Sequence, residues 1–154
     1  MRKLRVYIDT SVIGGCLDPE FSNDSVSLME QFKSQKMIAI LSETLFDELE
    51  KAPKDVQNII NQFPKQAVEE VSATQEAVNL AKNYVSSGAI PQHSYSDALH
   101  IAIASVHDVD VLVSWNFKHI VNLNRIHAYN SVNLKEGYKT LEIRSPKEVL
   151  ENGN

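Results

Sequence analysis

The chain predicts a single α/β domain, residues 1–154, built on a central, mostly parallel sheet of about five strands. Two patterns carry that expectation. Short apolar runs that are continuous rather than alternating, such as Met37-Ile38-Ala39-Ile40-Leu41 and Val111-Leu112-Val113, suit strands covered on both faces. Between the runs the apolar spacing changes to three and four residues, the period of helices laid against a sheet.

Leu4 to Ile8 is the first strand, and it delivers Asp9, Thr10 and Ser11. A helical segment with Val26, Met29 and Phe32 on one side leads to a second strand at Met37 to Leu41. Leu45 and Leu49 mark the next helix. Val56, Ile59, Ile60 and Phe63 mark a third, which Pro64 closes because proline cannot continue it. Ala67 to Val71 is the third strand. The helix that begins near Thr74 places Ala77, Val78, Leu80, Ala81, Tyr84 and Val85 in register and stops at Ser86-Ser87-Gly88. Ser94-Tyr95-Ser96-Asp97 offers a cap with an acid in the first turn. It opens Ala98 to Ala104, a helix apolar nearly all round and therefore buried. Val109 to Val113 is the fourth strand, after which Ser114-Trp115-Asn116 leaves the sheet. Ile120 through Leu134 reads as a surface helix ended by Gly137, Leu141 to Ile143 as an edge strand, and Ser145-Pro146-Lys147-Glu148 as the start of a terminal helical turn. No repeat, low-complexity tract or linker divides the chain.

Composition narrows the function classes. A formal net charge of −5 argues against a broad basic surface for nucleic acid, while leaving room for a local basic rim around an acidic site. The single cysteine, Cys16, excludes an internal disulfide and a multi-cysteine zinc site, so a reducing compartment, the cytoplasm, is expected. Met1-Arg2-Lys3 runs straight into the first strand without the apolar core of a secretion signal, and no run approaches membrane-spanning length.

Three acids fall at comparable places in the β-α units: Asp9 after the first strand, Glu48 on the helix following the second, and Asp97 in the first turn of the helix before the fourth. In a parallel sheet those places converge on the carboxyl edge, where open α/β sheets bind ligands. Carboxylates brought together raise one another's pKa unless a cation reverses that preference, and oxygen ligands without cysteine favour Mg²⁺ or Mn²⁺ over zinc.

Four segments in this order resemble the PIN domain family, in particular its VapC-like toxins. They are Val6-Tyr7-Ile8-Asp9-Thr10-Ser11, Leu41 through Leu49, Ser96-Asp97-Ala98-Leu99-His100-Ile101-Ala102, and Asp110 through Ile120, which together span nearly the whole chain. The resemblance implies a three-layer α/β/α fold and a metal-dependent endoribonuclease, the toxin of a toxin-antitoxin pair. It also implies a cognate antitoxin partner and a homodimer. Asp9, Glu48 and Asp97 match the family's acidic ligands. Where a fourth acid usually follows the fourth strand, this chain has Asn116, whose amide oxygen attracts a cation less strongly. On that pattern Asp9 is the central ligand, Glu48 and Asp97 complete the shell, and Asn116 assists. Thr10 or Ser11 orients water or a phosphate oxygen, and Lys118 contacts phosphate.

Each residue also has a plainer explanation. Asp9 and Asp97 suit helix caps, the latter at capping distance from Ser94. Glu43, Asp47 and Glu50 around Glu48 fit a solvated acidic helix face. His100, flanked by Leu99 and Ile101, fits a hydrogen-bonded core histidine and stays outside the catalytic set, and His119 fits a turn cap better than an RNA contact. Trp115 either stacks on a base or anchors its loop. Lys51, Lys54, Lys65 and Arg125 are scattered as solvated surface charges are. The competing functional class is a PIN-like module with weakened metal binding that works through RNA or protein contacts. An Asp9-nucleophile phosphatase ranks below it, because Ser11 stands where a second acid is expected.

Overall fold

The structure, a computed structural model, describes residues 2–152. In chain order its elements are β1 (Leu4–Ile8), α1 (Thr10–Gly15), α2 (Ser22–Lys33), β2 (Met37–Ser42), α3 (Glu43–Leu49), α4 (Lys54–Gln57), β3 (Val68–Val71), α5 (Gln75–Ser86), α6 (Tyr95–Val106), β4 (Val111–Val113), α7 (Leu123–Lys135), β5 (Ile143–Arg144) and α8 (Pro146–Asn152). The sheet has five strands in the order β3-β2-β1-β4-β5, and every pairing is parallel. The mostly parallel sheet expected from the apolar runs is therefore wholly parallel.

Side-chain alternation along the central strand divides the core in two. Tyr7 of β1, Ile40 of β2 and Leu112 of β4 pack with Leu80, Tyr84, Ile101 and Tyr129 from α5, α6 and α7. Val6 and Ile8 of β1, with Val111 and Val113 of β4, face Val12, Ile13, Leu28, Phe32, Leu45 and Val149 from α1, α2, α3 and α8. Helices thus cover both faces in three layers, as a parallel sheet requires.

Helix starts follow local chemistry. Ser42, Thr74 and Asn122 accept the N–H groups of Leu45, Ala77 and Arg125 at 3.1, 3.2 and 3.3 Å. Ser145 and Glu148 cap reciprocally, each side chain accepting the other's backbone N–H, at 3.0 and 3.3 Å. Gly88 (φ +83°) supplies the left-handed residue that ends the turn after α5.

Several boundaries differ from expectation. The predicted helix over Val56 to Phe63 is only the four residues of α4 followed by a 3-10 turn at Ile60–Gln62. Phe63 is already extended (φ −78°, ψ 131°), because a residue before proline avoids the helical region. Ile120 and Val121 lie in a turn closed on the Asn116 carbonyl, so α7 begins only at Leu123. Leu141 is drawn off the sheet by the Asn130 side chain, which accepts its N–H at 2.7 Å, and β5 shifts to Ile143–Arg144. Val109 and Asp110 precede β4 rather than belong to it, and Ala67 closes a 3-10 turn before β3. Ser94 precedes α6 without a side-chain cap bond. Helix α1, directly after Asp9, was not foreseen.

Candidate active site

The sheet's connections run outward in opposite directions from β1, toward β2 on one side and β4 on the other. The carboxyl ends of β1 and β4 therefore flank the switch point at which open α/β sheets form a ligand crevice. Asp9 stands there, only 4% exposed. Ser11 Oγ donates to its Oδ1 at 2.6 Å, Ser114 Oγ at the end of β4 donates to its Oδ2 at 2.6 Å, and the Val12 N–H reaches Oδ1 at 3.3 Å as the N-cap bond of α1. Asp9 is thus both a cap and a site residue. Burial pushes its carboxyl group up, against the opposing effects of the His100 charge and these hydrogen bonds.

Glu48 reaches the same edge from α3 and is held by three side chains. Thr10 Oγ1 donates to Oε1 at 2.6 Å, Ser96 Oγ donates to Oε2 at 2.9 Å, and His100 Nε2 lies 2.6 Å from Oε1. Burial on its own would raise this carboxyl group, yet the bond and charge of His100, with the two hydroxyls, outweigh it and hold Glu48 down to about 2. His100 is itself 2% exposed, and its Nδ1 lies 2.6 Å from Tyr7 Oη, which donates to Ser42 Oγ at 2.8 Å. Burial pushes the Tyr7 phenol far up, so it stays neutral. A buried chain from Ser42 through Tyr7 and His100 thus orients Glu48.

Asp97, in the first turn of α6, accepts from Asn116 Nδ2 at 3.1 Å. Burial raises its carboxyl group, with the charges of Asp9 and Glu48 adding to the rise. The Asn116 oxygen is turned the other way and accepts the N–H groups of Lys118 and His119 at 3.2 and 3.0 Å. Two backbone donors fix that amide orientation, so Asn116 ties Asp97 to its own turn. Lys118 is exposed beside it. Trp115 anchors the loop: its N–H groups reach Ser11 Oγ at 2.9 Å and Ser25 Oγ at 2.8 Å, and its ring stacks on Phe21 at 4.3 Å.

The structure brings the three acids expected from the sequence to one sheet edge and adds supports that the sequence did not indicate. Thr10 and Ser11 hold Glu48 and Asp9. His100, Ser96, Ser114 and Tyr7 were missed as members of the site. The only available signal for His100 was its position three residues after Asp97, which places both on one face of a helix. Among the described residues no group of three His, Cys, Asp or Glu side chains closes into a metal cage. The donor chemistry still suits a hard dication, because Asp9 and Asp97 are oxygen donors whose carboxyl groups burial raises, Asp97 further through the charge of Asp9, whereas the bond and charge of His100 already hold Glu48 down.

No family model and no curated protein matches the chain. Solved structures do. The chain is similar to VapBC2 from Rickettsia felis bound to a DNA fragment from its promoter, with a TM-score of 0.56 and 13% identity over 92% of this chain and 98% of that one. FitAcB from Neisseria gonorrhoeae gives a TM-score of 0.57 and 13% identity over the same shares. VapC20 from Mycobacterium tuberculosis, a sarcin-ricin loop cleaving toxin, gives a TM-score of 0.55 and 10% identity over 74% of this chain and 92% of that one. At such identity the likeness speaks to fold alone: the chain has the PIN-like α/β/α fold, with Asp9, Glu48 and Asp97 at the carboxyl edge of its sheet.

Proposed function

We propose that the protein is a divalent-metal-dependent endoribonuclease acting as the toxin of a toxin-antitoxin pair. The observation that carries this is a convergence of carboxylates at the switch point of the sheet, where Asp9 is buried and Asp97 half-buried and where burial pushes both carboxyl groups upward in spite of the nearby His100. The likeness to a sarcin-ricin loop cleaving toxin supports RNA as substrate. Asp9 and Asp97 would hold Mg²⁺ or Mn²⁺ with Glu48, and the bound ion would supply a polarised phosphate oxygen and a more acidic water. The chain's own residues perform the positioning. Ser11 and Ser114 fix both oxygens of Asp9, Asn116 fixes Asp97, and His100 with Thr10 and Ser96 keeps Glu48 anionic and oriented. The likeness to VapBC2 and FitAcB supports a cognate antitoxin, a homodimer is part of the same proposal, and the lone cysteine supports a cytoplasmic setting.

Incubation of the purified protein with total RNA should yield discrete fragments with Mg²⁺ or Mn²⁺ and none with EDTA. Asp9→Asn and Asp97→Asn should each abolish the fragments. Cleavage that persists in EDTA or in both variants would refute the assignment. One observation favours a second possibility, a module with weakened metal binding: the Asn116 oxygen is spent on its own turn. Calorimetric titration separates the two, since that module binds no Mn²⁺ at millimolar concentration.

A further inference from the structure

The turn that carries Asn116 also builds a rim beside the acids. Phe117 is 50% exposed, although its neighbours are firmly held. Its ring meets Trp115 edge-on at 6.1 Å, Trp115 stacks on Phe21, and Asn122 Nδ2 donates to the Phe117 carbonyl at 3.3 Å. A half-exposed aromatic ring is thus held on a braced support, one residue from the amide that binds Asp97. Basic side chains from three segments gather around this turn, Lys118 and His119 from the turn itself, His93 from just before α6 and Arg125 from α7, in a chain whose overall charge is −5. Lys118 is exposed next to Phe117, the His93 and His119 rings lie 6.1 Å apart, and Arg125 is anchored by one N–H on the Ala89 carbonyl at 2.8 Å. Burial, and after it the nearby Arg125, Lys118 and His93, lower the His119 pKa. His119 Nδ1 is the one buried side-chain polar atom without a hydrogen-bond partner among the described residues, so a ligand that engages this imidazole breaks no bond within the protein.

A flat apolar face beside clustered positive charge matches a nucleotide better than a peptide or a lipid. Bases of any sequence offer a π-face, the adjoining phosphate offers the charge, and only an unpaired base exposes its face. We propose that Phe117, with Lys118, His119, Arg125 and His93, forms a single-strand nucleotide subsite in which an unpaired base next to the cleaved bond stacks on Phe117 and its phosphate lies against Lys118 and Arg125, with the two imidazole rings alongside. This subsite deepens the nuclease assignment and would make Phe117 a determinant of which unpaired positions are cut.

Binding of a short single-stranded oligoribonucleotide in EDTA tests the subsite without cleavage. Trp115 is the only tryptophan, and its contact with Phe117 makes its fluorescence the reporter. Phe117→Ala should weaken binding about tenfold or more. Phe117→Tyr should retain it, a duplex of the same sequence should bind without regard to residue 117, and Arg125→Ala should lower the salt slope by about 0.7. Circular dichroism establishes that each variant is folded. Unchanged single-strand affinity in Phe117→Ala would overturn the subsite, as would loss of self-association in that variant with RNA binding intact, which would mark a protein contact. If single strands bind through Phe117 but no metal supports cleavage, the subsite stands and the nuclease assignment falls. Metal-dependent cleavage with binding indifferent to Phe117 gives the reverse.

Discussion

Asp9 and Glu48 stand at one sheet edge yet are held by opposite electrostatics, and their stabilities should respond to pH in opposite ways. For Asp9 and Asp97, burial raises the folded-state pKa, so the folded protein binds the proton more tightly than the unfolded chain. Stability from these groups is present at low pH and is lost as pH rises from the ordinary carboxylate value through the raised one. In EDTA at pH 7, Asp9→Asn should therefore melt a few degrees higher than the wild type, with the difference vanishing near about pH 4 in a thermal scan. Glu48 runs the other way. Its carboxyl group is lowered from 4.5 to about 2, so its contribution is present above 4.5 and disappears as pH falls through about 2. Removing the partner at neutral pH leaves the part-buried Glu48 carboxylate with only its two hydroxyl donors, takes one of the two bonds of the buried Tyr7 hydroxyl and opens a cavity, so His100→Ala should cost about 2–4 kcal/mol in urea unfolding. The catalytic candidates were legible because an acid at the end of an apolar strand is conspicuous in a sequence. His100 was not, since a histidine in an apolar helix reads identically whether its nitrogens meet a carboxylate or a core carbonyl.

At the scale of elements, one glycine and one serine set how the helices meet the edge. A Cβ on Gly15 of α1 would lie 2.6 Å from Ser25 Oγ and 2.8 Å from Trp115 Nε1, inside the bond that anchors the Trp115 loop to α2. Gly15→Ala should destabilise by about 1–3 kcal/mol and red-shift Trp115 emission as that loop loosens, both readable in one denaturant titration. Ser42 ends β2, caps α3 through the Leu45 N–H, and accepts the Tyr7 hydroxyl. Ser42→Ala should cost about 1–2 kcal/mol and disturb Glu48 through Tyr7 and His100. The long helices α2, α5 and α6 were legible from their apolar period, and Gly88 from its role as a stop. The break between α4 and the 3-10 turn was not, because Val56, Ile59, Ile60 and Phe63 keep helical spacing while the chain itself unwinds.

Across the whole molecule, the edge that carries the acids is opposite the one that ties the chain's beginning to the sheet. Asp110, just before β4, accepts the Arg5 N–H at 2.7 Å and both terminal nitrogens of Arg2 at 2.7 Å, binding β1 to β4 at their amino ends. The Arg2 hydrogen bond leads the effects that hold the Asp110 carboxyl group below its ordinary value, so this support is lost as pH falls through that lowered value. Asp110→Ala should lower stability by about 1–2 kcal/mol, mostly through the Arg5 bond, and leave RNA cleavage unchanged. No helix among the described residues is long and apolar enough to cross a membrane. The sequence by itself determined the five strands, the longer helices, the parallel character of the sheet and the three acids, because burial on two faces and helical period are written into local residue order. The tertiary structure alone decided that β4 lies beside β1. That adjacency brings Ser114 onto Asp9, and the packing of α6 beside α3 sets His100 against Glu48, since these hydrogen-bond partners, 105 and 52 residues apart, are chosen by packing rather than by spacing along the chain.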